Sequence, residues 1–411
     1  MSGRGARRGL AGLALLLILC LGALPLWAGP LNLAGRVLGP DGAVVAGAIL
    51  SDGVDLTATD AQGNFRLASE EGRVLTLTAP AGWVVQGRWW WPTDQAEALR
   101  AQLRPVPTGG PARVALLSDP HLMSAQAPTQ DFPAPPGGLD LPMKVWERVA
   151  GQLRQTAPDL CIVTGDLCMD GEKGGPEHLE AQLALAGRAL AMLPQPARAL
   201  PGNHDARYVG EGAVQSVDLG PWRSQLGPAR QVYLLGGAAW LLLDNLGAGQ
   251  DGQGKHHRAL GQTSPQTLAW LERALKLLPA ETPLVLLSHY PLISPLSGAN
   301  PLRDHDLVKT GDKDGLALRN VDQAAGRLVA MLKDRRVLAL VNGHEHAHQQ
   351  SILHLRGGDR LFLGLPAVCG RWWLGDRGWG ELSFPPGYLV LTLSPGADGP
   401  EFSCRFVEVR F

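Results

Sequence analysis

Between Leu31 and Arg104, short apolar runs are cut at close intervals by turn sequences: Pro40-Asp41-Gly42, Asp52-Gly53, Gln62-Gly63-Asn64 and Pro80-Ala81-Gly82. That spacing predicts a small β-sandwich. Within it, Leu75-Thr76-Leu77-Thr78 alternates apolar with polar, the pattern of a strand buried on one face. The stretch from Pro105 to Pro111 is rich in Pro and Gly and reads as a linker.

Beyond Ala112 strands alternate with helices, which predicts an α/β domain. Strands are expected at Val114 to Leu117, Leu160 to Val163, Trp240 to Leu243, Leu284 to Leu287 and Val337 to Val341. Between them, Met143, Trp146, Val149 or Ala150, and Leu153 recur at helical spacing, as do Leu179, Leu183, Ala186, Leu190 and Leu193. Ser264-Pro265 has the residues of a helix start, Ser at the N-cap and Pro in the first turn, with Leu268, Leu271, Leu275 and Leu278 as its buried face. A further helix is expected from about Val321 to Lys333. From Leu365 to Phe411 the chain returns to β and turn signals, too short for a core of its own and expected to pack on what precedes it.

Composition fits a folded chain of about two or three units: 411 residues, 45% hydrophobic, 18% charged, with 52 Gly and 32 Pro for its many turns. A formal net charge of −1, and no Lys/Arg run beyond the first residues, speak against nucleic-acid binding. Arg4, Arg7 and Arg8 followed by an apolar run from Leu10 to Leu26 read as a signal peptide over residues 1–28, with cleavage after Ala28. Leu26 is large for its place before the cleavage site, which keeps an uncleaved anchor as the alternative. Arg7-Arg8-Gly9-Leu10 fits either an ordinary positive segment or twin-arginine export. No other apolar run is long enough to span a bilayer, so a periplasmic or secreted protein is expected. Cys161, Cys168, Cys369 and Cys404 would remain; an oxidising compartment permits disulfides without requiring them, and Cys161, inside an apolar strand, reads as a buried free thiol.

The candidate chemistry lies at five strand ends or following loops: Asp119-Pro120-His121, Gly165-Asp166, Gly202-Asn203-His204-Asp205, His289, and Gly343-His344-Glu345-His346. Loops at the carboxyl ends of parallel strands line a common crevice, so these distant residues can converge. Carboxylate, imidazole and carboxamide groups suit borderline and hard ions such as Mn, Zn and Fe. One Gly-Asp or Asp-x-His usually caps a turn and nothing more; the order and completeness of the set are what point to a site.

That order resembles the calcineurin-like metallophosphoesterase superfamily, whose pattern runs D-x-H, G-D, G-N-H-D or G-N-H-E, H, and G-H-x-H. The likeness covers roughly Ala112 to Leu365 and extends to Leu243-Asp244-Asn245, Leu268-Ala269-Trp270-Leu271-Glu272 and His289-Tyr290-Pro291. Residues 33–67 resemble the β-sandwich that precedes this domain in some bacterial members. Gly370-Arg371-Trp372-Trp373 and Pro386-Gly387-Tyr388 are similar to the start of that subgroup's C-terminal module, although the chain stops sooner than that module does. The resemblance implies an α/β fold with a metallophosphoesterase-type β-sandwich core flanked by helices, preceded by a small all-β sandwich. The expected units are 29–106, 112–364 and a short β segment at 365–411.

The resemblance further implies two divalent or trivalent ions (Mn, Fe or Zn). Asp119, His121 and His346 would bind one, Asn203, His289 and His344 the other, with Asp166 bridging. A hydroxide held between the ions would attack a small phosphate-ester substrate (a mono-, di- or pyrophosphate-type bond). His204 would protonate the leaving oxygen, with Asp205 orienting its ring. The alternative is a catalytically degenerate binding or scaffold protein that recognises cell-envelope glycans through the N-terminal sandwich; such a protein normally lacks a ligand, and all seven are present. His256 and His257 read as solvated loop residues, and His305, His348 and His354 match no family position. Trp89-Trp90-Trp91 and Trp372-Trp373 fit either a binding surface or packing between units.

Overall fold

The computed structural model describes residues 30–98, 102–123, 135–173, 175–210, 216–250, 256–296, 307–310, 315–318, 320–374, 383–397 and 399–411. The leader segment and His305 lie outside the described residues. No described helix is long and apolar enough to cross a membrane.

The N-terminal unit is all β. Pro30–Arg36 pairs antiparallel with Asn64–Glu70, whose strict alternation sends Phe65, Leu67 and Ser69 inward. Leu56–Ala58, Ile49–Ser51, Val74–Thr78 and Trp90–Pro92 make a four-stranded sheet, and Trp83–Gln86 pairs with Gln102–Pro105. Leu33, Leu50, Leu75, Leu77 and Trp91 form its core. The strand Val74–Thr78 is buried on both faces, not one. The reason is the neighbouring domain: Thr78 Oγ1 donates to Val232 O at 2.6 Å. Close by, Trp270 Nε1 donates to Ser51 Oγ at 3.0 Å, and Arg230 Nη1 to Gly53 O at 2.7 Å. The tryptophan run belongs to this packing. Trp91 is in the core, and the guanidinium of buried Arg198 lies 3.7 Å from the Trp89 ring centre.

The larger domain has two facing sheets. One runs in the order Ala197–Ala199, Leu160–Val163, Ala112–Leu117, Gly387–Ser394, Glu401–Glu408; the first three are parallel and the last two antiparallel. The other runs Gln231–Leu235, Ala238–Leu242, Leu284–Ser288, Val337–Asn342, Gly358–Gly364, Gln349–Leu355, with a parallel centre. Alternation along each strand divides its side chains between two cores. Val114, Leu116 and Ile162 point inward to meet Trp240, Val285 and Leu287 between the sheets. Ala115, Leu117 and Val163 point outward to the helices Leu141–Thr156 and Pro176–Met192. On the far side, Leu241, Leu284 and Leu286 meet the helices Pro265–Leu277 and Ala325–Met331. Strands covered on both faces read as continuous apolar runs, which is why they were legible.

The helix Pro265–Leu277 starts as its sequence predicts, Ser264 Oγ accepting from Thr267 N at 3.1 Å. The helix expected from Val321 is shorter, Ala325–Met331. Asp322 holds the preceding residues in a turn, accepting from Thr263 N at 3.0 Å and Ala324 N at 2.8 Å. Residues 387–408 supply two strands of the first sheet, so this stretch is built into the domain and not appended to it.

Candidate active site

Each candidate residue follows the carboxyl end of a strand. Asp119 follows Ala112–Leu117, Asp166 follows Leu160–Val163, and Asn203 follows Ala197–Ala199, three adjacent parallel strands. His289 follows Leu284–Ser288, and His344 and His346 follow Val337–Asn342, neighbours in the second sheet. The loops are laced together by their backbones. His121 N donates to Asp166 O at 3.0 Å, Leu122 N to Leu167 O at 2.7 Å, and Gly343 N to His289 O at 3.0 Å.

Of the eight described non-glycine residues with positive φ, five are Asp119, His121, Asp166, His344 and His346. Left-handed backbone costs a residue with a Cβ about 1–2 kcal/mol. Such strain persists only where the surroundings over-determine it, commonly at functional sites. Glycines make the close approaches possible. A Cβ on Gly343 would meet Ser118 Oγ and stand 2.8 Å from Asp119 Oδ2. Gly165, at φ 95°, would bring a Cβ to 2.6 Å from His289 Nδ1 and 2.7 Å from Gly202 N. Gly165→Ala is therefore expected to destabilise the protein by about 2–4 kcal/mol, combining backbone strain with overpacking. Denaturant unfolding checks this; an unchanged midpoint would show that the loop has room.

The side chains form two clusters that share one carboxylate. In the first, His121 Nε2 lies 3.1 Å from His346 Nε2, and Asp119 Oδ1 lies 3.8 and 3.5 Å from these two nitrogens. In the second, His289 Nε2 lies 3.0 Å from Asn203 Oδ1 and 3.3 Å from His344 Nδ1. Asp166 Oδ2 stands between them, 3.7 Å from His121 Nε2 and 3.3 Å from His289 Nε2. Two atoms each bonded to one ion at about 2.0–2.2 Å are themselves about 3.0–3.6 Å apart, a range that holds most of these distances, those from His121 Nε2 to Asp119 and Asp166 lying just beyond it. Asp119 Oδ1 is buried with no hydrogen-bond partner, an orphan that a cation would satisfy.

The ring orientations agree. His121 Nδ1 faces Cys168 O at 3.2 Å, His346 Nδ1 faces Gly370 O at 2.7 Å, and His289 Nδ1 faces Thr164 O at 2.8 Å. A carbonyl can only accept, so each Nδ1 carries a proton, and each Nε2 in the neutral ring would offer its lone pair to the centre. His344 is turned the other way, Nδ1 inward and Nε2 3.2 Å from Asn320 Oδ1. Cys369 also approaches His346, but its Sγ lies 3.8 Å from Nδ1, behind the ring.

His204 lies beside the first cluster, its Nε2 3.9 Å from Asp166 Oδ2. By distance it could join His121 and Asp166 round one ion. The expectation that Asp205 orients this ring is corrected. The Asp205 oxygens accept from Cys168 N at 2.8 Å, Leu167 N at 3.2 Å and Gly202 N at 2.9 Å, so the carboxylate clamps two loops together. The carboxylate at the ring is Glu172, whose Oε2 is 3.0 Å from His204 Nδ1, an ion-pair contact without hydrogen-bond alignment. Nothing in the sequence around Glu172 signals this, because the contact joins two loops. Trp372 also emerges as a neighbour of the cluster, 4.3 Å from the His121 ring. His348 stacks on Phe406 and exposed His354 pairs with Asp359, both away from the clusters. All four described cysteines are free thiols.

Charge within the site is finely balanced. Burial alone would lower His289, but the adjacent Asp166 carboxylate outweighs it and lifts the imidazole to about 9. Burial likewise opposes charge on His204, and Glu172 and Asp166 carry it up to about 9. Burial holds His121 well below its usual value, Asp166 offsetting only part of that. Burial raises Asp205, helped by the Asp166 charge, to about 6. In the metal-free protein His289 is thus protonated below about pH 9, and an ion binding there must displace that proton. Metal affinity is expected to rise with pH up to about 9, by about tenfold per unit for each proton released. Competition with a chelator at several pH values measures this; an affinity flat from pH 6 to 9 would contradict it.

A profile of calcineurin-like phosphoesterases matches residues 112–348, and the chain belongs to that family. It is a metal-dependent phosphoesterase. Among curated proteins, it is 28% identical over 273 residues to the 3',5'-cyclic adenosine monophosphate phosphodiesterase CpdA of Escherichia coli (strain K12), covering 64% of this chain and 79% of that protein. It is 25% identical over 247 residues to a probable cyclic nucleotide phosphodiesterase of Synechococcus, covering 60% of this chain and 76% of the relative. Among solved structures, a purple acid phosphatase from yellow lupin (Lupinus luteus) seeds aligns with a TM-score of 0.44 at 14% identity, over 92% of this chain and 67% of the other.

Proposed function

We propose that this chain is an exported phosphohydrolase with two metal ions, one held by Asp119, His121 and His346 and the other by Asn203, His289 and His344, with Asp166 shared. The observation that carries this is the pair of nitrogen and oxygen clusters on either side of one carboxylate, each spaced as ligands round an ion are. Bound there, the ions would supply Lewis acidity toward a phosphate and a water acidic enough to act as nucleophile at neutral pH. The chain's own part is preorganisation. Backbone carbonyls at His121, His289 and His346 fix which nitrogen faces inward, and the strained loops hold those rings before substrate arrives. His204, charged and held by Glu172, is the acid that gives its Nε2 proton to the departing oxygen.

The two curated relatives are named for cyclic nucleotides, which makes a 3',5'-cyclic phosphodiester the first substrate to test here. The decisive experiment reconstitutes the purified protein with Mn, Zn or Fe, measures metal per chain, and screens phosphate monoesters, diesters and pyrophosphates. A protein carrying two ions that turns over none of them would sink the reading. Export rests on the arginine-flanked apolar segment ending near Ala28. Mass spectrometry of the protein from its native host is expected to find a start near Gly29, and a soluble cytoplasmic chain beginning at Met1 would overturn it.

A further inference from the structure

The residues that would grip a phosphate do not define what surrounds the alcohol of the ester. The turn from Cys369 to Leu374 lies against the first cluster. It carries two consecutive tryptophans in the left-handed region, Trp372 at φ 56° and Trp373 at φ 64°, a backbone state rare for bulky residues. Packing accounts for Trp373. It is buried, its Nε1 donates to His121 O at 2.9 Å, and its amide donates to Cys369 O at 3.0 Å. The same turn fixes a candidate ligand, since Gly370 O accepts from His346 Nδ1 at 2.7 Å.

Trp372 is only half-buried, yet its backbone is held in the same strained state. Its ring centre lies 4.3 Å from that of His121, 4.8 Å from His346 and 5.5 Å from His204. The indole therefore borders the cluster on the side of the proposed proton donor. On the opposite side, Asn320 flanks His344 and the Tyr290 ring lies 4.0 Å from it, but that ring is fully buried and offers no open face. An ester bound with its leaving oxygen toward His204 would place its alcohol portion on the side that the half-buried indole borders.

We infer that Trp372 is a specificity-determining residue, the aromatic surface against which the alcohol portion of the phosphoester lies. The site then takes esters of flat aromatic or heteroaromatic alcohols in preference to those of small open-chain alcohols. This rests on the phosphoesterase reading with His204 at the leaving-group side. A flat ring meeting an indole gains stacking contact that a methyl group cannot make.

The test uses the metal-loaded full chain and two ligands that need no turnover, phenylphosphonate and methylphosphonate, with affinities measured by calorimetry. Wild type is expected to bind phenylphosphonate about tenfold more tightly, the scale of one aromatic contact. Trp372→Gly, which suits the left-handed backbone and removes only the ring, should abolish that preference, leave methylphosphonate affinity within about twofold and keep the metal content. Trp372→Phe should restore most of the preference. A wild type that binds the two alike, or a glycine variant that weakens both equally or loses metal, would overturn the inference. The comparison stands apart from the ester screen, so a failure of hydrolysis and a failure of this contrast are separate results.

Discussion

Asp166→Asn is expected to leave a folded protein with little bound metal and turnover lowered by about a thousandfold or more. Replacements that merely support a ligand typically cost about 10–100-fold, and Asp166 stands between both clusters, so the loss should exceed that range. The fold should survive because the amide keeps a side-chain oxygen where Asp166 Oδ1 now accepts from His204 N at 2.9 Å. What disappears is the negative charge that His121, His289 and His204 all face within 3.9 Å. The measurement is elemental analysis after reconstitution, read beside the thermal transition and the rate on the best substrate found. Near-normal occupancy of two ions per chain in the variant would remove Asp166 from the shared position.

His204→Ala should behave differently. General acid catalysis typically supplies about 10²–10⁴-fold, and losing it should cost turnover on that scale with metal content near normal. The loss should be smaller for an activated nitrophenyl ester than for an alkyl ester, because nitrophenolate departs without a proton. Glu172→Gln, acting on the ring from 3.0 Å, should reproduce the same selective pattern at a smaller amplitude. Loss of an ion in His204→Ala would instead place His204 in the coordination shell with His121 and Asp166, which their distances permit. Equal slowing of both esters would remove the leaving-group role.

The candidate motifs stood out as polar residues after apolar runs, as with Asp119 after Val114–Leu117 and His289 after Leu284–Leu287, while the choice of seven ligands among them came from the resemblance to a known family. Strand ends of parallel sheets gather in one place, so proximity followed from topology. The support around them was not legible. Glu172 reaches His204, and Asp205 reaches the amides of Leu167 and Cys168, across loops whose paths no local pattern sets. The strand Val74–Thr78 alternates like a half-buried strand because Thr76 and Thr78 are polar, yet their hydroxyls are satisfied by Ser51 O and Val232 O, so both faces could be covered. The shortened helix after Asp322 has the same origin, a buried carboxylate with distant partners outweighing local helical preference.

The position of Gly387–Ser394 bears on how the active domain is made. Leu389 pairs with Leu116 and Leu391 with Val114, so the strand that leads into Asp119 and His121 has one edge unfilled until residues near the far end of the sequence have been synthesised. Pairings so distant in sequence form late, since the chain must close a long loop before they are rewarded. Ribosome-bound chains released at successive lengths should thus gain protease resistance in the 30–105 region well before the metal centre becomes competent, and competence should arrive only once Ser394 has cleared the exit tunnel. If the chain is exported, as proposed, that interval leaves a hydrophobic edge open to the machinery that carries it.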